Sequence, residues 1–151
     1  MIISGMDFVT ADNSVHSMEK IVRETSGDIG EKRRMRLGEF FDYVKAMPYR
    51  QDPKGVEVLS RPKHTMNFAP SIGRDCKKQS VIMASWAREN GVPYRFVIVS
   101  TRATRAPHHV FISMFINGKW IDTDATYKHY RIGDKKVYTY RRNFEIQKDA
   151  K

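Results

Sequence analysis

An α+β fold is what this sequence predicts: a central buried helix packed on an antiparallel sheet of three to four strands, with helices on the N-terminal side. Three observations carry the prediction. Cys76 to Asn90 is a helix-forming run that ends at Gly91, a residue suited to the left-handed position after a helix. Strand-like runs follow at 94–100, 109–116 and 119 to about 126, and the last two are joined by Asn117-Gly118, the strongest short hairpin signal. The 151 residues are 40% hydrophobic and include 2 Trp, 7 Tyr and 8 Phe, enough to close one core, so one domain over 1–151 is expected.

The elements follow in order. Residues 1–12 are expected to be an arm or short strand, after which Asn13 or Ser14 caps a helix carrying Val15, Met18, Ile21 and Val22 at helical spacing. Gly27 and Gly30 end it. A second helix is expected over 31–47, with Met35, Leu37, Phe40, Phe41 and Val44 inward and Lys32, Arg33, Arg34 and Arg36 mostly outward, stopped by Pro48. The segment 49–74 holds Pro53, Gly55, Pro62, Pro70 and Gly73 and is expected to be a long surface loop. A final run over 136–146 alternates Val137, Tyr138, Tyr140 and Phe144 with basic residues, as a fourth, edge strand would.

Lys and Arg outnumber Asp and Glu 27 to 17, for a formal charge of +10. Such a surface suits polyanions: nucleic acid, anionic membrane or wall polymer. The basic run 33–36 by itself fits a solvated helix face, since no aromatic-interleaved binding motif accompanies it. No apolar run approaches the roughly 18 residues that span a bilayer, and the N-terminus lacks a basic segment followed by a long apolar one; a soluble product made in the cytoplasm is expected. One cysteine excludes an intramolecular disulfide and a multi-cysteine zinc site. No metal or cofactor is expected.

That cysteine is either a small buried hydrophobe or a reactive thiol, and its surroundings choose between them. Asp75 can cap the helix, which puts Cys76 in the first turn, where unpaired N–H groups and the helix dipole stabilise a thiolate; Arg74, Lys77 and Lys78 add positive charge. A base is also needed, from His16, His64, His108, His109 or His129. A two-residue turn at Asn117-Gly118 sets Ile116 opposite Lys119, Phe111 opposite Asp124 and His109 opposite Thr126. His109 and Asp124 are then diagonal neighbours on one face, with His108 on the other and Asp122 a step further away. Cys76, His109 and Asp124 are the expected nucleophile, base and orienting carboxylate.

Gly73-Arg-Asp-Cys76, the helix ending in Glu-Asn-Gly-Val-Pro-Tyr-Arg95, His109-Val-Phe, and Gly118-Lys-Trp120-Ile-Asp-Thr-Asp124-Ala-Thr126 together resemble the transglutaminase-like superfamily, of papain-like fold. The resemblance covers about 56–127, and Pro62-Lys-His-Thr65 is similar to a segment of small phage-encoded and bacterial members. Arg74 stands between the glycine and the aspartate, Lys77 replaces an acidic residue common in relatives, and Ala125 replaces a proline. These departures bear on substrate choice.

The resemblance implies a cysteine-dependent amide hydrolase, a peptidase or deamidase in preference to a crosslinking acyl transferase, because nothing in so short a chain suggests calcium sites or accessory domains. Its partner would be a protein, peptide or cell-wall peptide. Asn67, Thr65 and Gln79 are candidates for a second oxyanion donor, and Trp120 for shielding the site or contacting substrate. Trp86, set among Val81, Ile82 and Ala87, fits the core. Two alternatives stand: an NlpC-type cell-wall peptidase, against which the 120–124 segment argues, and an inactive structural protein of a virus particle whose basic face binds nucleic acid.

Overall fold

In the computed structural model the described residues are 8–50, 59–72 and 74–144. Residues 1–7 of the expected N-terminal arm, 56–58 and Gly73 of the motif-bearing stretch, and 145–146 of the last expected strand lie outside them. Four α-helices, α1 (Phe8–Thr25), α2 (Leu37–Lys45), α3 (Pro62–Ile72) and α4 (Cys76–Glu89), pack beside strands β1 (Tyr94–Ser100), β2 (His109–Ile116), β3 (Lys119–Asp122) and β4 (Tyr140–Phe144). The fold is the expected α+β architecture.

Helix α1 starts earlier than its local cap signals suggest. Phe8 to Asp12 are helical instead of extended, and Ser14 is buried inside the helix next to Val15, Met18 and Val22, so the apolar stripe, not a cap, decides where the helix runs. The expected single helix over 31–47 is also corrected. A 3-10 segment over Ser26–Arg34 kinks at Gly30, where φ is +55°, and Met35 and Arg36 are extended before α2 begins. A distant hydrogen bond sits at that break: the Met35 carbonyl accepts the indole N–H of Trp86 at 3.0 Å. Phe40, Phe41 and Val44 of α2 are fully buried, each contributing roughly 1.5–3 kcal/mol by leaving water.

The expected loop over 49–74 contains helix α3. Pro62 sits at its first position, where a missing N–H costs nothing, and the cap comes from elsewhere in the chain. Asp28 accepts the Lys63 backbone N–H at 3.1 Å and holds Arg61 through two bonds of 2.7 and 2.8 Å. A cap supplied from 35 residues away leaves no local signature.

Helix α4 is the centre of the molecule, and every residue from Cys76 to Ala87 is buried. Asp75 caps it, accepting the Lys78 N–H at 2.9 Å. Its other end closes as a Schellman motif: Gly91 takes φ +68° and donates to Arg88, and Val92 donates to Ala87.

The sheet order is β3-β2-β1-β4 with every neighbour antiparallel. Ile116 pairs with Lys119 and Ser113 with Asp122, the register expected from the Asn117-Gly118 turn, whose residues have φ of +52° and +77°. Phe96, Ile98, Val110, Ile112 and Met114 join the main core with α4; Val97, Val99 and Phe111 form a second cluster on the opposite face under Tyr138. β3 is shorter than expected. Pairing stops after Thr123, whose N–H and hydroxyl both donate to the Ile112 carbonyl at 2.8 Å, so Asp124 to Thr126 leave the strand.

Candidate active site

Cys76 is the first residue of α4 and is 3% exposed. His109 opens β2. Two neighbouring side chains tie these elements together: the Ser80 hydroxyl donates to the Cys76 carbonyl at 2.7 Å and lies 3.3 Å from the Val110 carbonyl, and the Gln79 amide reaches Ser80 Oγ at 3.1 Å and the Val110 carbonyl at 3.4 Å. The first turn of the helix is thereby pinned to the strand residue that follows His109.

His109 Nε2 lies 2.7 Å from Asp124 Oδ2, and the Cys76 side chain is near enough to the ring to favour its protonated form. Asp124, 3% exposed, is held in turn by Thr126, whose hydroxyl and N–H donate to its Oδ1 at 2.6 and 3.2 Å. Burial alone would favour neutral imidazole. The Asp124 charge, its hydrogen bond and the Cys76 contact outweigh burial and push the His109 pKa up to about 10. For Asp124 burial likewise works against charge, but His109 and the two Thr126 bonds keep its pKa below the ordinary carboxylate value.

Three of the other histidines and the rival carboxylate are engaged elsewhere, and His16 is exposed on α1. His108 Nε2 accepts the Thr101 N–H at 2.9 Å, so burial and the nearby Arg102 and His109 lower its pKa. His64 packs at a tilt against Phe68 on α3, and His129 stacks on Tyr127 and meets Tyr130 edge-on. Asp122 receives a bidentate pair from Arg141 at 2.8 and 2.9 Å.

The remaining expected residues do not form one cluster. Gln79 shares the first turns of α4 with Cys76, but its amide N–H groups serve Ser80 and Val110, and its buried Oε1 has no partner among the described residues. Thr65 is 1% exposed on α3, its hydroxyl without a partner among the described residues, whereas Asn67 is exposed. Trp120 is opposite Phe115, six residues along β2 from His109 and so roughly 20 Å away; it does not stand over the pair. Trp86 is in the core, 7% exposed.

Arg74 has a larger part than its charge alone suggested. It is 1% exposed, donates from Nη1 to the Thr126 carbonyl at 2.6 Å, and lies over the Tyr49 ring at 5.7 Å. Burial works against its charge, and the nearby carboxylates Asp124 and Asp75 favour it. This guanidinium therefore braces the turn that carries Asp124 from behind. The only sequence signal was an arginine wedged between the glycine and the capping aspartate.

Among the described residues no group of three His, Cys, Asp or Glu side chains is placed to hold a metal ion, and no helix is long and apolar enough to cross a membrane.

A family model described as the transglutaminase-like superfamily matches residues 19–125. Among solved structures, one of a candidate cysteine protease from Cytophaga hutchinsonii is similar at 13% identity with a TM-score of 0.47, covering 83% of this chain and 46% of that one. This chain thus spans less than half the length of that protein. No curated protein matches.

Proposed function

Because this chain belongs to the transglutaminase-like superfamily, whose acyl chemistry runs through a cysteine, we propose that it is a cysteine-dependent amide hydrolase with Cys76 as nucleophile, His109 as acid and base, and Asp124 as the orienting carboxylate. The observation that carries the reading is that one imidazole is paired with a buried carboxylate at 2.7 Å and lies within electrostatic reach of the Cys76 thiol.

In the first step the Cys76 sulfur attacks the amide carbonyl carbon and its π electrons move to oxygen. The intermediate collapses as His109 gives its proton to the departing nitrogen, leaving an acyl thioester and a free amine. Acylation removes the anionic sulfur that helps hold the imidazole proton, so neutral His109 becomes accessible. It can then take a proton from water as that water attacks the thioester; the acid is released and the thiol restored. Asp124 keeps the same ring edge turned to the sulfur throughout, and Thr126 and Arg74 support Asp124. An amine in place of water would give a crosslink. Hydrolysis is the proposal because it needs no second site for an amine, and a peptidase or deamidase follows.

The test is acylation with p-nitrophenyl acetate followed by mass spectrometry. A burst of nitrophenol with acetyl on Cys76, absent in Cys76→Ala and slow in His109→Ala, supports the reading. Acetylation confined to surface lysines contradicts it.

A further inference from the structure

The face of the sheet turned away from the helices carries a cleft of about 530 Å³, within the range of roughly 300–1,000 Å³ that small-ligand sites occupy. Its walls are cationic: Arg95 from β1, Lys119 from β3, Lys135 and Lys136 from the loop before β4, and Arg141 from β4. One carboxylate, Asp122, also lines it, so five cations against one anion leave four positive charges in excess. Trp120 forms part of the wall, 38% exposed, with the Arg95 guanidinium 4.2 Å from its ring centroid and Phe115 against its edge. None of these residues belongs to the Cys76–His109–Asp124 cluster.

We propose that this cleft binds the phosphodiester backbone of a single-stranded nucleic acid, with Trp120 as an aromatic contact for a base. The feature that favours a nucleic acid over an acidic protein is the aromatic one: an indole beside a cationic track is the composition by which single strands are held without sequence preference. Arg141 is paired with Asp122, Arg95 lies against the indole and Lys136 over the Tyr130 ring, while Lys119 and Lys135 are exposed at the cleft. The basic run at 33–36 lies on the helical side, away from this cleft.

The experiment uses the whole chain and a short fluorescent oligothymidylate, titrated over a range of salt, with polyglutamate as competitor. Four net charges predict a slope of log K against log salt of about −3. The chain has two tryptophans, and Trp86 is buried, so a fall in indole emission on binding reports Trp120 and disappears in Trp120→Phe. Lys119 and Lys135 are exposed, so reversing both to Glu leaves the fold intact and weakens binding on the order of fiftyfold at low salt. An equal charge change at Arg33→Glu with Arg34→Glu leaves it nearly unchanged. Cys76→Ala binds like the wild type, which separates this site from the proposed hydrolysis. Absence of saturable binding, an equal loss from both double variants, or displacement by polyglutamate as effective as by unlabelled oligothymidylate would overturn the proposal.

Discussion

Asp124 Oδ2 lies 2.7 Å from His109 Nε2 while its other oxygen is taken by Thr126, so both sides of the carboxylate are fixed in a buried setting. A charge held this way is stable only as part of a pair. Asp124→Ala leaves His109 buried without its counter-ion, and denaturant unfolding should register a loss of about 3–5 kcal/mol. Asp124→Asn keeps the shape but not the charge; it should lose less stability while still slowing acylation of Cys76.

The same pair sets a pH window for stability. His109 has a folded pKa of about 10 against an ordinary 6.5, so its contribution is complete below 6.5 and is lost as pH rises through about 10. Asp124 is shifted the other way, and its contribution is present above 3.8 and lost as pH falls through its depressed folded value. Unfolding free energy measured against pH should therefore plateau between about 4 and 6.5 and decline on the alkaline side as pH rises toward about 10. His109→Gln should flatten that alkaline decline.

Arg74 donates to the Thr126 carbonyl at 2.6 Å from a fully buried position. Arg74→Met fills much of the space but leaves that carbonyl without its donor and the Asp124 turn without its nearby cation. A stability loss of about 1–3 kcal/mol is expected, together with slower alkylation of Cys76. Arg74→Lys should recover part of the reactivity through charge alone. Equal reactivity in all three proteins would reduce Arg74 to a packing residue.

Gly118 offers a control remote from the site. Its φ of +77° is one that side chains resist, and nothing lies within 4 Å of the position a Cβ would take. Gly118→Ala should cost about 1–2 kcal/mol by thermal or denaturant unfolding through backbone strain alone, with Cys76 reactivity unchanged.

Which features could be foreseen follows from where their causes lie. α4, β1, β2 and the hairpin register rest on local signals, namely the Asp75 cap, Gly91 and Asn117-Gly118, and the hairpin register was enough to put His109 and Asp124 on one face. Helix α3 is capped by Asp28, a partner distant in sequence, and the break at Met35 coincides with a bond to Trp86, so neither is written in its own segment. The early end of β3 has the same character, because Thr123 closes on Ile112 and releases the turn that carries Asp124. Arg74 read as one charge among several; its burial depends on Pro48, Tyr49 and Thr126 meeting around it. Trp120 had the spacing of a site residue, yet the strand direction carries it to the far end of the sheet.

The central claim is that Cys76 and His109 act as one unit, and the pH dependence of Cys76 alkylation by iodoacetamide, in the wild type and in His109→Ala, tests it most directly. The account predicts a wild-type thiol that reacts readily at neutral and weakly acidic pH, and a variant whose rate rises only on the alkaline side. A thiol that is unreactive, or whose profile is the same with and without His109, would contradict it.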